Sequence, residues 1–330
     1  MMTHAMAVHP LLLDDLAAWF VGASQPRVAK RAVVVVDLDD DARWDAPPIP
    51  AGIPNVVIGV TEGEPTPELP LVTACDAVVR RGSPDLDAIV GTVERTPQAA
   101  LALVAVLRGS AGRSLDDGLA AESQAYSDLQ GGPEFARWLR GHRRTERDPE
   151  GDPVRMEREG DVLRLTLARP RVRNALNAAM TVALLDGLAV ATADPTIRTV
   201  ELRGDGPAFC AGGDLDEFGT FESPEAAHEL RLERSVGRAI AAVADRVVAH
   251  LHGACAGSGI ELPAFADRVV AAPDTRISLP ELALGLIPGA GGTVSVTRRI
   301  GRHRTAWLGL TGDTIDATTA KAWGLVDELT

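Results

Sequence analysis

Lysine is nearly missing from this chain of 330 residues: it occurs only at Lys30 and Lys321, against abundant arginine. Few groups are therefore left for Schiff-base chemistry, which weighs against imine catalysis. Cysteine is also scarce. Cys75, Cys210 and Cys255 form an odd set with no CxxC spacing, which excludes a disulfide framework and fits a reducing, cytoplasmic setting. No apolar run approaches the roughly 20 residues of a membrane span. The apolar start, MMTHAMAVHPLLLDDLAAWF, lacks a basic leader and is interrupted by Asp14 and Asp15, so neither targeting nor a membrane partner is expected. Positive charge is in deficit as well. A net charge of −13 argues against nucleic acid or an anionic membrane as partner, although a local basic patch could still hold a phosphate-bearing ligand.

What is present is enough apolar material, 45% of the residues, for one large domain or two modest ones. The stretch RGHRRTERDPEGDPVRMEREGD (140–161) is charged and broken by Pro149 and Pro153, and so reads as a linker. The expected division is 1–145, a linker at 146–160, and a core at 161–330. In the core, DVLRLTLARP (161–170), RTVELRG (198–204), VVAHLHG (247–253) and DRVVAA (267–272) read as strands. Between them, 175–193 repeats Leu176, Met180, Leu184 and Leu188 at helical spacing, another helix is expected over about 225–245, and short helices should end the chain. Strands alternating with helices predict an α/β class with parallel pairing.

Three fragments of the first half echo that order. RAVVVVDLDD (31–40) parallels DVLRLTLARP, IPNVVIGVTEGEP (53–65) parallels TIRTVELRGDGP, and VTACDAVVRRGSPD (72–85) parallels PAFADRVVAAPD. Chance likeness of apolar strands and a shortened duplicate are both open readings. Proline-rich stretches, PPIPAGIP (47–54) and EPTPELP (64–70), should connect the fragments as surface loops.

Three glycine-bearing stretches carry the chemistry: PAFCAGGDLDEF (207–218), HGACAGSGIEL (252–262) and SLPELALGLIPGAGGT (278–293). Glycines allow sharp turns, and a helix that starts directly after one aims unpaired N–H groups at whatever lies in front of it. No Gly-Lys-Ser/Thr follows GAGGT, which excludes a P-loop, and the GSG at 257–259 is not the GxSxG elbow of a hydrolase. His250 and His252 lie on an apolar strand and read as satisfied structural groups rather than partners of a nucleophilic Ser258. Taken singly, Glu261 is explained by the positive end of its helix, and Glu281 by a capping box with Ser278 as N-cap and Pro280 in the first turn.

Together with LARPRVRNAL (167–176), these stretches resemble the crotonase, or enoyl-CoA hydratase/isomerase, superfamily over about 152–330. The resemblance implies a ββα spiral core with covering helices, preceded here by a smaller α/β half. It implies an oxyanion hole made by the backbone N–H of Gly213 and Ser258. It makes Glu261 the group that orients and deprotonates water, and Glu281 the group that delivers a proton at Cα. Ser258 stands where glycine is common, but its backbone donor survives. Substrate contacts are implied at Arg171, Arg173, Ala211, Gly212, Asp214, Leu215 and Gly257, with Asp214 also readable as a helix cap. The implied partner is an acyl-CoA, with coenzyme A as part of the substrate, no separate cofactor and no metal. The implied assembly is a homo-oligomer, a trimer or a dimer of trimers. Family members continue past the equivalent of WGLVDELT with helices that cover the site. Residues 86–144 resemble those helices, so the first half is expected to supply the cover, in the same chain or to a neighbour, with Phe135, Arg140 and Arg143 as candidate coenzyme A contacts.

Overall fold

A run of four valines favours the pleated, half-buried surface of a sheet over a helix, where β-branched side chains lose freedom. In the computed structural model, which describes residues 32–39, 53–63, 70–145 and 151–330, that run is strand β1 (Val33–Asp37). It pairs parallel with β2 (Val56–Thr61), which pairs parallel with β3 (Ala77–Arg80). Every residue of β2 is buried, as the unbroken apolar run VVIGVT requires of a strand covered on both faces. The segments 1–31, 40–52, 64–69 and 146–150, which hold the N-terminal stretch and most of the proline-rich connections, lie outside the described residues.

Four helices follow: α1 (Asp85–Arg95), α2 (Pro97–Arg108), α3 (Leu115–Gln130) and α4 (Pro133–Gly141). Prolines open α2 and α4, where the missing N–H costs no bond. Ser114 caps α3 by accepting from the Asp117 N–H at 3.1 Å.

The second half opens on β4 (Val154–Glu159), antiparallel to β5 (Val162–Leu167). This corrects the expected linker over 146–160: its described end is a strand. Only Val154 of β4 is buried, so an edge strand with solvent on both faces has the charged composition of a linker. Next come α5 (Ala178–Ala193), β6 (Thr199–Gly204), α6 (Pro224–Glu233), α7 (Val236–Ala241), β7 (Val247–Leu251), β8 (Ala254–Ala256) and the single turn α8 (Ser258–Glu261). The helix expected over 225–245 is thus broken at Arg234–Ser235, where Ser235 caps α7 through the Arg238 N–H. Strands β9 (Arg268–Ala271) and β10 (Arg276–Ser278) lead to α9 (Gly292–Thr311). That helix is longer than expected, though interrupted at Gly301. The described chain ends with β11 (Ile315–Asp316), α10 (Ala317–Trp323) and β12 (Glu328–Leu329).

The main sheet runs β12-β9-β7-β6-β5-β4, parallel except for β4, and a small sheet runs β11-β10-β8. One apolar cluster packs α5, α7 and α9 on these sheets. A second joins β1–β3, α1 and α2 to Leu282, Leu286, Ile287, Ala306 and Leu310 of the second half, so the two halves share a core.

Candidate active site

The loops after β6 and β7 run side by side. Isolated bridges pair Ala208 with Gly253 and Cys210 with Cys255, and the Ala256 N–H donates to the Cys210 carbonyl at 3.1 Å. The approach requires glycine at 259, where a Cβ would stand 2.1 Å from the Cys210 carbonyl oxygen. Asn174, fully buried, ties a third segment to the pair. Its Nδ2 donates to the Asp205 and Ala208 carbonyls at 2.8 and 2.9 Å, while its Oδ1 accepts from the Arg169 N–H at 2.9 Å. Among the described residues, neither the Gly213 nor the Ser258 N–H has a backbone acceptor, so two donors sit at the mouths of adjacent loops.

Gly257 turns the chain into α8 with φ +50°, a left-handed conformation that favours glycine. A Cβ there would lie 2.5 Å from Glu281 Oε1 and 3.7 Å from Glu261 Oε1. The two carboxylates, brought by different elements, therefore flank one point beside the Ser258 N–H. Their surroundings differ. Glu261 is 2% exposed, and its Oε2 accepts from the N–H groups of Ala290 and Gly292 at 2.8 and 2.9 Å. Glu281 is partly exposed as a residue, yet its Oε2 is buried and has no hydrogen-bond partner.

The capping-box reading of Glu281 does not hold. Ser278 ends β10 in register with Ala256, its carbonyl accepts from the Gly257 N–H at 3.0 Å, and the turn Glu281–Leu284 has no side-chain cap. Ladder pairing keeps Ser278 in the strand and frees the Glu281 carboxylate for the site.

A third carboxylate comes from the first half. Glu122 on α3, also 2% exposed, accepts from the Gly291 N–H at 2.6 Å, the Thr293 N–H at 2.8 Å and Thr293 Oγ1 at 2.7 Å. Four successive N–H groups at the start of α9 thus alternate between Glu261 and Glu122. The first-turn donors of a long helix and its positive end favour negative charge there. Burial still dominates. It pushes Glu261 up to about 7 against the opposing pull of those donors, and with the Glu261 charge it pushes Glu122 up to about 8. Burial first, then the Glu261 charge, hold Glu281 well above the usual carboxylate range. Carboxyl groups set apart in this way fit an acid and a base working side by side.

A family model described as enoyl-CoA hydratase/isomerase matches residues 157–330. The chain belongs to the enoyl-CoA hydratase/isomerase family. Within this family, the chain is 34% identical over 174 residues to the 2,3-dehydroadipyl-CoA hydratase of Escherichia coli, covering 53% of this chain and 68% of that protein. It is 34% identical over 172 residues to the 1,2-epoxyphenylacetyl-CoA isomerase of the same organism, covering 51% and 66%. The crystal structure of an enoyl-CoA hydratase from Thermoplasma volcanium is 35% identical with a TM-score of 0.51, covering 55% of this chain and 72% of that one. The crotonase-type core is thus the second half.

The remaining expected residues fall into two groups. Ala211 is held through its N–H by the Arg173 carbonyl at 2.9 Å, which puts the RPRVRN turn beside Gly212 and Gly213. Arg171 and Arg173 are exposed on that turn. Asp214 caps the turn Leu215–Glu217 and accepts from Arg169 Nη2 at 2.8 Å, while Leu215 is 38% exposed beside it. His250 and His252 stay outside the site: His250 Nε2 lies 3.3 Å from Arg203 Nη2, and His252 Nε2 3.0 Å from the Gly206 carbonyl. On α4, Arg140 and Arg143 just beyond it are exposed. Phe135 is 3% exposed and stacks on Trp138, which makes it a core residue and not an available contact. Of the helices expected to cover the site, α3 lies on its Glu261 side, through the bonds of Glu122 to Gly291 and Thr293.

No helix among the described residues is long and apolar enough to cross a membrane, and no cluster of metal-ligating side chains occurs among them.

Proposed function

We propose that the protein is an enoyl-CoA hydratase, adding water across the double bond of a trans-2-enoyl thioester. The observation that carries this reading is the pair of buried carboxylates flanking one point beside the Ser258 N–H. Hydration needs a base for the water that attacks Cβ and an acid for Cα. Glu261, whose Oε2 is held by two N–H donors, is the easier of the two to ionise and takes the proton of the water. Glu281, held protonated by burial and by the neighbouring charge, delivers its proton at Cα. The electrons pushed from Cβ pass to the thioester oxygen, which is received between the N–H groups of Gly213 and Ser258. Each such donor is worth about 2.7–4 kcal/mol of barrier. The cycle leaves a proton on Glu261 and none on Glu281, and exchange between the two resets the site. No group beyond the coenzyme A of the substrate is required.

Double-bond isomerisation is the second reading, since one carboxylate suffices to move a proton between carbons and the unpaired Oε2 of Glu281 is placed to do so. Incubating the purified full chain with crotonyl-CoA and following loss of the conjugated enoyl absorbance tests the choice. Hydration of trans-2-enoyl esters supports the hydratase. Conversion of 3-enoyl esters, with no water addition to any 2-enoyl ester from crotonyl to decenoyl, replaces it with the isomerase.

A further inference from the structure

Beside the loop Gly289–Gly291, whose Ala290 N–H is held by Glu261, lies a cavity of about 200 Å³ walled by Leu119, Leu176, Leu230, Val236 and Leu262. It is smaller than the roughly 300–1,000 Å³ of sites for drug-sized ligands, so an acyl chain lodged here is short. One wall is not apolar. Arg231 on α6 lines the cavity, its guanidinium 4.6 Å above the Tyr126 ring centroid.

Every acceptor Arg231 has is neutral. Nε donates to Ser123 Oγ at 3.1 Å, Nη1 to Gln130 Oε1 at 3.1 Å, and Nη2 to the Ser123 carbonyl at 3.2 Å and to Ser127 Oγ. No carboxylate lies within ion-pair distance among the described residues. A guanidinium has five N–H donors, so one on Nη1 is left over. The two carboxylates on the same walls are engaged elsewhere: Glu122 with the start of α9, and Glu217 with the Ala178 N–H at 2.8 Å. Arg234, exposed, is a second cation on the lining. A charge drawn partly out of water with no ion pair is costly, and the half-buried Arg231 has its pKa lowered by burial against the opposing pull of Tyr126 and Glu122.

We propose that the substrates of this site are short enoyl-CoA esters whose acyl chain ends in a carboxylate, and that Arg231 receives that carboxylate. The inference rests on the acyl-CoA reading of the site and adds the chemistry of the far end of the chain.

The experiment compares trans-2-hexenoyl-CoA with its ω-carboxylate analogue. The wild-type chain should favour the carboxylate ester in kcat/KM by about tenfold or more, as one charge-assisted hydrogen bond allows. In Arg231→Met the ratio should fall to about one, and in Arg231→Lys, which keeps the charge and loses the fork, it should be intermediate. A wild-type preference for the uncharged ester, or a ratio untouched by both substitutions, overturns the proposal and leaves Arg231 as a staple between α3 and α6. If Arg231→Met does not fold, the lysine variant and the wild-type ratio decide. If neither ester is turned over, calorimetric binding of hexanoyl-CoA and adipyl-CoA decides separately. Tighter adipyl-CoA binding, weakened in Arg231→Lys, keeps this inference while the hydratase reading fails; equal affinities reject it.

Discussion

The two halves of the molecule begin from the same parts and finish them differently. In both, parallel strands lead upward to loops at their carboxyl ends, the place where open α/β sheets bind ligands. In the first half that end is closed by charge: Arg81 bridges Asp37, Asp39 and Glu62 at 2.6, 3.0 and 2.8 Å, and Thr61 Oγ1 donates to Asp39 at 2.7 Å. In the second half the corresponding loops carry glycines and, among the described residues, leave the N–H groups of Gly213 and Ser258 without a backbone acceptor and Glu281 Oε2 without a partner, near the point that Glu261 and Glu281 flank. The pairing also differs. β1 and β2 lie side by side as β5 and β6 do, but β3 pairs directly with β2, whereas β9, which it echoes in sequence, is separated from β6 by β7. The first half thus has the strands without the loops, and its contribution to the site comes from its helices.

The largest effect should come from breaking the chemical half of the contrast. Glu281→Gln and Glu261→Gln should each lower kcat by about 10²–10⁴-fold without loss of the fold, as read by kcat on crotonyl-CoA and by circular dichroism. Equal, small losses for both would mean that the pair does not act as acid and base.

Next in size is a change that touches only the first half. Asp76 is 1% exposed; both its oxygens meet Arg108, at 2.7 and 2.5 Å, and Oδ2 also accepts from the Val57 N–H. Asp76→Ala strands a buried guanidinium and should cost about 3–5 kcal/mol in denaturant unfolding. Because α3 belongs to this half, the same variant should lose activity at temperatures where the first half opens.

Glu122→Gln tests the link between the halves. The glutamine amide would set a donor against the N–H of Gly291 or Thr293 and loosen the segment that holds Glu261, for which a fall of about 10²-fold in kcat is expected. Stability should shift with pH as well. Glu122 and Glu261 titrate near 8 and 7 in the folded chain, above the roughly 4.3 of a free glutamate. Glu281 is raised as well. Above about 4.3 the folded state therefore holds more protons than the unfolded one, so stability falls as pH rises from there through about 7 and 8. In Glu122→Gln one of these groups is gone, and the fall in Tm over that window should be shallower.

Much of this was legible because it is local. The alternation of 162–167, the leucine spacing within 178–193 and the glycine turns each carry their own signal, and Glu261 and Glu281 stand inside two of those turns. What was hidden depends on partners far along the chain. Glu122 meets Thr293 across 171 residues, and nothing around LDDGLAAESQ marks it apart from other glutamates of a helix. β4 was hidden for a different reason: a strand at a solvated edge needs no apolar alternation. The capping-box pattern at Ser278 misled because a local motif yields when a ladder bond claims the same residue.

The smallest expected effect closes the comparison at its charged end. The side chains of Arg81, Asp37 and Asp39 are each about a third exposed, and Glu62 more so. Solvent already screens such charges, and holding a long side chain in one geometry opposes the gain. Arg81→Ala should therefore leave Tm and kcat on crotonyl-CoA close to wild type. The substitution opens the carboxyl end of the first sheet without supplying loops, donors or buried carboxylates. A clear fall in kcat at unchanged Tm would contradict the contrast drawn between the halves, because it would require the strand ends of the first half to reach the acyl-CoA.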